Sequence, residues 1–161
     1  MTLDDLFLQT LKDIYFAERQ ILKALPKMAK AAQDPKLKDG FMAHREETEG
    51  QVDRLQQVFE SIGKRAQGKT CEAIKGLLEE CEELLEEATE PSPVRDAGLI
   101  ACGQAVEHYE MARYGALIAW ATTLGNRDAI ALLQANLDQE KKADSLLTQM
   151  AGSVNKMAMA A

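Results

Sequence analysis

Two glutamates, Glu107 and Glu110, lie one helical turn apart in the segment 105-AVEHYEMARYGAL-117. Helical spacing puts both carboxylates on the face that also carries the hydrophobic side chains of Val106 and Tyr114. Burying a carboxylate that has no partner is costly, so a helix that turns two of them toward its own core needs something to neutralise them. Protons, arginine or lysine side chains, or bound metal ions could do so.

Acidic residues recur at a similar height on three other helical patterns. Glu18 lies on the first pattern, Glu47 on the second and Glu140 on the fourth. The separation of Glu18 and Glu47 along the chain nearly equals that of Glu110 and Glu140, so the two halves overlay as two versions of one hairpin. Polar residues on the same stripes extend the set. The candidate metal ligands are Glu18, His44, Glu47, Gln51, Glu107, Glu110, Glu140 and Asp144.

The six carboxylates of this set would repel one another if all were ionised, and two divalent or trivalent cations would balance them. Oxygen-rich ligand sets favour iron or manganese over zinc or copper(I), so we expect a site for two Fe or Mn ions. The alternative is a buried salt-bridge network with Arg19, Arg54, Arg113 or Lys141. For Glu107 the two interpretations stay open.

Several neighbouring polar residues have a simpler interpretation. Three of the candidate ligands also fit hydrogen-bonded polar positions in the core, namely His44, Gln51 and Asp144. We expect His108 on the surface or in a dimer interface, because it points away from the face that carries Glu107. Tyr15 and Tyr114 lie near Glu18 and Glu110, and we expect their hydroxyls to bond to carboxylates.

The composition excludes several classes of partner. The chain has 19 basic and 26 acidic side chains, a formal charge of −7, which argues against nucleic acid or an anionic membrane. No hydrophobic run approaches the roughly 20 residues of a membrane-spanning helix, and the start 1-MTLDDLFLQT-10 lacks the basic region of a secretory signal. Cys71, Cys81 and Cys102 show no CxxC spacing, so we expect reduced thiols in a cytoplasmic protein, with a periplasmic one as the alternative.

The hydrophobic periodicity predicts helices throughout and no β-strand. Long helices are expected at about residues 2–33, 35–63, 94–124 and 128–151, and a shorter one at about 71–88. Pro26 predicts a kink or a lost hydrogen bond, and residues 152–161 carry no strong pattern and are expected to fray. Two antiparallel hairpins with a long connection predict an all-α, ferritin-like four-helix bundle with an extra crossover helix, as a single domain over residues 1–161.

Four segments resemble the YciE/YciF-type family of ferritin-like bacterial stress proteins: 13-DIYFAERQILKALPKMAKAA-32, 44-HREETEGQVDRLQQVFE-60, 106-VEHYEMARYGAL-117 and 137-LDQEKKAD-144. The resemblance extends over nearly the whole chain, including the crossover helix after Cys71. It implies a ferritin-like bundle that forms a homodimer and holds a dinuclear metal site. It implies no particular reaction, because the biochemical activity of that family is not established.

The chain also resembles the wider rubrerythrin pattern, which implies roles for individual residues. That pattern implies one glutamate on the first helix, here Glu18, and Glu-x-x-Glu on the third, here Glu107 and Glu110. It also implies Glu-x-x-His on the second and fourth helices, and this chain lacks the histidine after both Glu47 and Glu140.

Where the rubrerythrin pattern expects histidines, this chain has Gly50 and Ala143, followed by Gln51 and Asp144. His44 lies three residues before Glu47, not three residues after it, so it is a reversed substitute for one of these histidines. The resemblance therefore leaves three arrangements open: a different ligand set, a weaker site, or a site for one ion.

These features favour a dinuclear metal carboxylate protein of the bacterial stress response that reacts with dioxygen or peroxide, or sequesters iron. Oxidase- or peroxidase-type turnover would need an external electron donor, because the chain has no rubredoxin-like CxxC segment. The alternative is a non-catalytic helical homodimer in which the acidic residues of the core are structural or form a degenerate metal site. Iron storage is a third hypothesis, which would require a closed shell of many subunits.

Overall fold

The computed structural model describes all 161 residues and contains helices but no β-strand. The helices are α1 (Leu3–Ala31), α2 (Pro35–Ser61), α3 (Glu72–Glu87), α4 (Pro93–Leu124) and α5 (Arg127–Ala160). α1 pairs with α2 and α4 with α5, and these two hairpins pack together through α2 on α5 and α1 on α4. α3 lies in the connection and packs mainly on α4. The predicted all-α, ferritin-like four-helix bundle with an extra crossover helix is confirmed.

Local sequence signals fix the helix ends. The Thr2 hydroxyl accepts from the backbone N–H of Asp5, whose carboxylate accepts from the Thr2 N–H, so a reciprocal cap begins α1. Pro35 and Pro93 begin α2 and α4, where the missing N–H removes no helical hydrogen bond. Gly125 ends α4 with φ of 73°, a left-handed conformation that favours glycine.

Two buried charged residues at the start of α4 tie the hairpins together. The Asp96 carboxylate accepts the backbone N–H groups of Gln33 and Asp34, each at 2.7 Å, in the turn between α1 and α2. The Arg95 guanidinium donates to the backbone carbonyl of Ala31 at 2.5 Å and to two carbonyls between α3 and α4. These bonds satisfy polar groups at three helix ends and help to fix the register of one hairpin against the other.

The hydrophobic core runs along the bundle and is interrupted by polar residues near its middle. Among its fully buried side chains are Leu11, Ile14, Leu55, Leu117 and Leu133. The buried polar residues at the interruption are Glu18, His44, Thr48, Gln51, Glu107, Glu110, Asn136 and Glu140. None of the five helices has both the length and the apolar character that crossing a membrane would require.

The C-terminal end of α5 differs from the sequence-based expectation. Residues 152–161 were expected to fray, but α5 continues to Ala160. The segment holds several alanines and no proline to stop the helix. Val154 is 1% exposed and attaches the last turns to the core. In the first helix, α1 continues through Pro26 to Ala31 without a break.

Candidate metal centre

Side chains from three helices meet in the middle of the bundle. His44 of α2, Glu107 and Glu110 of α4 and Glu140 of α5 each offer a ligand atom, and these atoms lie within 4.8 Å of one another. All four side chains are buried, and those of Glu110 and Glu140 are inaccessible to solvent. We call these four residues the His–Glu group. Carboxylate oxygens and an imidazole nitrogen at such distances could hold a metal ion.

The spacing on α4 explains why one helix supplies two of the carboxylates. Glu107 and Glu110 are one turn apart, so both project from the same face. Val106 and Tyr114 are buried on that face, as the sequence predicts. The two acids therefore enter the core together, at the level where Glu18 and His44 of the other hairpin are also buried.

His44 connects the buried carboxylates to a more exposed one. Its Nε2 is 3.2 Å from Oε1 of Glu107 and 3.4 Å from Oε2 of Glu140, while its Nδ1 is 3.4 Å from Oε2 of Glu47. Glu47 lies at the rim of the site, and its Oε1 is 3.4 Å from Nζ of Lys142. Burial acts to lower the pKa of His44, but the hydrogen bond to Glu47 and the nearby negative charges outweigh it, so the pKa is raised. The same hydrogen bond lowers the pKa of Glu47.

Glu18 approaches the His–Glu group from α1 and is held by Tyr114 of α4. The Tyr114 hydroxyl donates a hydrogen bond to Oε1 of Glu18, and its oxygen accepts from Nδ2 of Asn136 at 3.1 Å. Asn136 also donates to the backbone carbonyl of Gln51 at 3.3 Å and accepts from Nε of Arg54 at 2.5 Å. These hydrogen bonds connect all four helices of the bundle around the site.

Burial raises the pKa of four glutamates at the site, namely Glu18, Glu107, Glu110 and Glu140. It raises the pKa of Glu18 to about 8, assisted by the negative charge of Glu140, and it raises the pKa of Glu107 to about 7. The pKa values of Glu110 and Glu140 are well above the ordinary value, first because of burial and then because each faces other carboxylates. Without a cation the site therefore holds protons near neutral pH, and a metal ion would have to displace them.

Many buried oxygens in the site have no hydrogen-bond partner. They include both carboxylate oxygens of Glu110 and of Glu140, together with Oε2 of Glu18 and of Glu107. Buried polar atoms are usually satisfied, and a cation or a proton bound here would satisfy these oxygens. The oxygen-rich donor set with one imidazole fits the iron or manganese that the sequence predicts.

The salt-bridge alternative is wrong for the buried carboxylates. It named four cations, Arg19, Arg54, Arg113 and Lys141, and none of them forms an ion pair with a carboxylate. Arg19 and Arg113 lie 5.7 and 5.3 Å from the ring centroids of Tyr15 and Tyr109. Arg54 instead donates to the neutral side chains of Asn136 and Gln139.

The remaining candidate ligands lie around the His–Glu group in different ways. Gln51 is fully buried near Glu140, and neither atom of its amide has a hydrogen-bond partner of good geometry. Asp144 lies outside the group: its Oδ1 accepts from Nε2 of Gln104 at 3.1 Å and is 3.2 Å from Nε2 of His108. His108 is 65% exposed, as expected for a residue that points away from the core.

Asn136 is the residue at the site that the sequence analysis missed. It lies one turn before Glu140 on the buried face of α5, and this helical spacing is the sequence feature that could have identified it. The tyrosine expectation is half right: Tyr114 bonds to a carboxylate, whereas the hydroxyl of Tyr15 accepts from Nε2 of Gln56 at 3.3 Å.

A mostly apolar cavity of about 110 Å³ borders the site and is lined by residues of all five helices. Its polar lining includes His44, Glu47, Glu107 and Lys142. Its apolar lining includes Ile21, Leu25, Phe41, Leu78 and Leu147. Two residues of the His–Glu group thus border an apolar space that is large enough for a small molecule.

The bundle and its buried carboxylates define a ferritin-like helical protein with a group that could hold a metal ion. Within that class, the chain belongs to the family described as "Domain of unknown function (DUF892)", whose model matches residues 2–160. It is 46% identical to Protein YciF of Escherichia coli (strain K12) over 159 residues, which are 98% of this chain and 95% of that protein.

Two solved structures are similar over nearly the full chain. The crystal structure of the E. coli stress protein YciF shares 45% identity and has a TM-score of 0.91, over 96% of this chain and 98% of that one. A structure described as "YcfI, a putative structural protein from Rhodopseudomonas palustris" shares 48% identity and has a TM-score of 0.89, over 92% and 94% of the two chains. The sequence-based resemblance to the YciF-type family is therefore confirmed.

Proposed function

We propose that this chain is a dinuclear metal carboxylate protein that binds two Fe or Mn ions and reacts with dioxygen or peroxide during stress. The observation that carries the proposal is the set of unpaired, fully buried oxygens on Glu110 and Glu140, within ligand distance of His44 and Glu107. Ionising buried carboxyl groups is costly, and metal cations would offset that cost. The stress protein YciF, to which the chain is similar, supports the biological setting.

The ligands would be supplied by all four bundle helices. Glu110 and Glu140 would lie at the centre, with Glu107 and His44 on the side of the cavity and Glu18 on the side of α1. The bound ions would supply the electrons that reduce the oxidant. The chain's own contribution is to release the protons that the carboxyl groups hold without metal, and to keep Glu18 oriented through the Tyr114 hydroxyl.

The cavity supports the choice of oxidant. Its wall is mainly hydrophobic, so it would admit a small neutral molecule such as dioxygen or hydrogen peroxide and exclude large ions. Repeated turnover would need electrons from a second protein, because the chain has no rubredoxin-like CxxC segment. We also propose that the protein acts in the cytoplasm as a homodimer, with neither nucleic acid nor membrane as its partner.

Oxidant consumption after metal loading tests this function. The chain is loaded with Fe(II) without oxygen, freed of unbound iron and mixed with dioxygen or hydrogen peroxide. We expect uptake in proportion to bound iron, and uptake reduced at least about tenfold when Glu110 and Glu140 are both changed to Gln. Glu49→Gln is the matched control, because Glu49 is an exposed acid paired with Arg45. Equal uptake by all three proteins would refute the proposal.

A structural role is the second candidate, and the description of the Rhodopseudomonas palustris relative favours it. In that case metal would bind without reacting, or the carboxyl groups would hold protons in place of metal. The same experiment separates the candidates. A loaded protein that retains its iron and consumes no oxidant would support the structural role and contradict the reactive one.

A further inference from the structure

The crossover helix carries a thiol that faces a second thiol on the bundle. Cys81 of α3 is buried, Cys102 of α4 is partly exposed, and both are free. The two thiols lie close enough together for each to shift the pKa of the other. Neither belongs to the His–Glu group, and the function proposed above uses neither of them.

Contacts on either side of the two thiols show how closely α3 and α4 pack. A β-carbon placed on Gly98 would lie only 2.6 Å from Cδ2 of Leu84, so the glycine allows a close approach of the two helices. Cys81 is one turn before Leu84 on α3, and Cys102 is one turn after Gly98 on α4. Because the helices run antiparallel, this register puts the two cysteines opposite each other. Farther along, Sγ of Cys71 lies 2.8 Å from the Tyr109 hydroxyl, which continues the same pairing.

The two thiols differ in reactivity. The neighbouring Cys81 thiol lowers the pKa of Cys102, so Cys102 forms the thiolate more readily. The pKa of Cys81 is raised by the Cys102 thiol and by burial. Cys102 is also the more exposed of the pair. A reactive, accessible thiol beside a protected one is the arrangement in which the first is oxidised and the second resolves it.

We propose that Cys81 and Cys102 form a reversible disulfide when the protein meets hydrogen peroxide, which covalently links the crossover helix α3 to α4. The Cys102 thiolate attacks one peroxide oxygen, the O–O bond breaks, and the departing hydroxide takes up a proton to become water. Sγ of Cys81 then attacks the sulfenic sulfur of Cys102, the S–O bond breaks, and the Cys81 proton leaves with that oxygen as a second water. Two thiols are oxidised to one disulfide and one peroxide is reduced to two waters.

The link would act on a helix that borders the candidate metal site. Leu78, one turn before Cys81 on α3, lines the cavity that reaches His44 and Glu107. A bond between α3 and α4 would hold that wall of the cavity in place. The thiol chemistry needs no metal, so its test is independent of the metal proposal.

Intact-mass and thiol measurements on the full chain test the inference. The purified chain is treated with hydrogen peroxide in the presence of a chelator, and free thiols are counted under denaturing conditions. We expect the count to fall from three to one, with the mass lowered by two hydrogens and restored by dithiothreitol. Cys71→Ser should still lose two thiols, and Cys81→Ser and Cys102→Ser should form no internal disulfide.

Three results would overturn the inference: addition of oxygen atoms to the wild-type chain without loss of hydrogen, a disulfide between two chains on a non-reducing gel, or equal disulfide formation in Cys102→Ser. Cys81→Ala provides a second variant if serine disturbs the buried position. Peptide mapping of the oxidised chain identifies the linked residues directly, and a bond that involves Cys71 would also contradict the assignment.

Discussion

The Tyr114 hydroxyl on α4 donates a hydrogen bond to Oε1 of Glu18 on α1, and both side chains are fully buried. This bond joins the two helical hairpins at the level of the candidate metal site. It also explains how a carboxylate that the sequence places in the core keeps a fixed orientation there. Asn136 completes the arrangement by donating to the same hydroxyl oxygen at 3.1 Å.

Removing the hydroxyl should weaken the fold. Tyr114→Phe leaves Oε1 of Glu18 without its donor and removes one acceptor from Asn136, so we expect a loss of about 1 to 3 kcal/mol in the free energy of unfolding. Tyr15→Phe is the control, because the Tyr15 hydroxyl only accepts one bond from Gln56 at 3.3 Å. Urea unfolding of the metal-free proteins measures both. A loss no greater for Tyr114→Phe than for Tyr15→Phe would contradict this role.

The metal-free protein should lose stability as pH rises. In the folded state the pKa of Glu18 is raised from 4.5 to about 8 and that of Glu107 from 4.5 to about 7. Their contribution to the free energy of unfolding is therefore fully present below pH 4.5 and is lost as the pH rises through the raised pKa values. Each carboxyl that stays protonated only in the fold contributes a slope of about 1.4 kcal/mol per pH unit. The raised pKa of His44 acts in the same direction.

Thermal melting of chelator-treated protein from pH 5 to pH 8.5 checks this dependence. The melting temperature should fall across the interval, and the fall should disappear when Mn(II) is added, because cations then replace the protons. The lowered pKa of Glu47 affects only more acidic solutions. A melting temperature that stays constant or rises in the metal-free protein would show that the buried carboxylates have some other counter-charge.

Replacing one central acid should have opposite effects with and without metal. Glu110→Gln removes a buried carboxyl group that folding forces to take up a proton, because its pKa is raised, its two oxygens have no hydrogen-bond partner and Arg113 does not neutralise it. We expect the metal-free variant to be more stable than wild type by about 1 kcal/mol or more at pH 8, and to bind less metal. Chemical unfolding and metal analysis of the two proteins provide the comparison. A metal-free variant that is clearly less stable would mean that Glu110 has an unseen partner.

The two ions should be held unequally, because α4 supplies two carboxylates where α1 supplies one. Glu107→Gln should therefore weaken one metal position and leave the other nearly unchanged, which a titration with Mn(II) would resolve as one strong and one weak site. Asp144→Asn is the control, since Asp144 accepts from Gln104 and lies beside the exposed His108. Equal weakening of both positions, or none, would assign Glu107 a purely structural role.

Most of the fold could be predicted from the sequence because the hydrophobic periodicity is strong in four long segments. The last turns of α5 could not, because their attachment depends on the single residue Val154 and on packing that no local pattern encodes. The chemical type of the site was predictable for a different reason. The helix faces that carry Glu18, Glu110 and Glu140 are otherwise hydrophobic, so the burial of these glutamates follows from helical spacing alone.

The detailed ligand arrangement was not predictable in the same way. His44 and Glu47 are one turn apart, and a small rotation of α2 decides which of them enters the core. The structure buries His44 and leaves Glu47 at the rim beside Lys142. The position of Asn136 likewise depends on contacts between α4 and α5 that only the assembled bundle provides.

Metal content tests the central claim most directly. The wild-type chain and the Glu110→Gln/Glu140→Gln variant are purified without chelator, loaded with Fe(II) or Mn(II) without oxygen, desalted and analysed by inductively coupled plasma mass spectrometry. The account predicts about two ions per wild-type chain and a loss of most of that metal in the variant, since these two residues hold four unpaired buried oxygens. A wild-type chain that retains no metal, or a variant that retains as much as wild type, would contradict it.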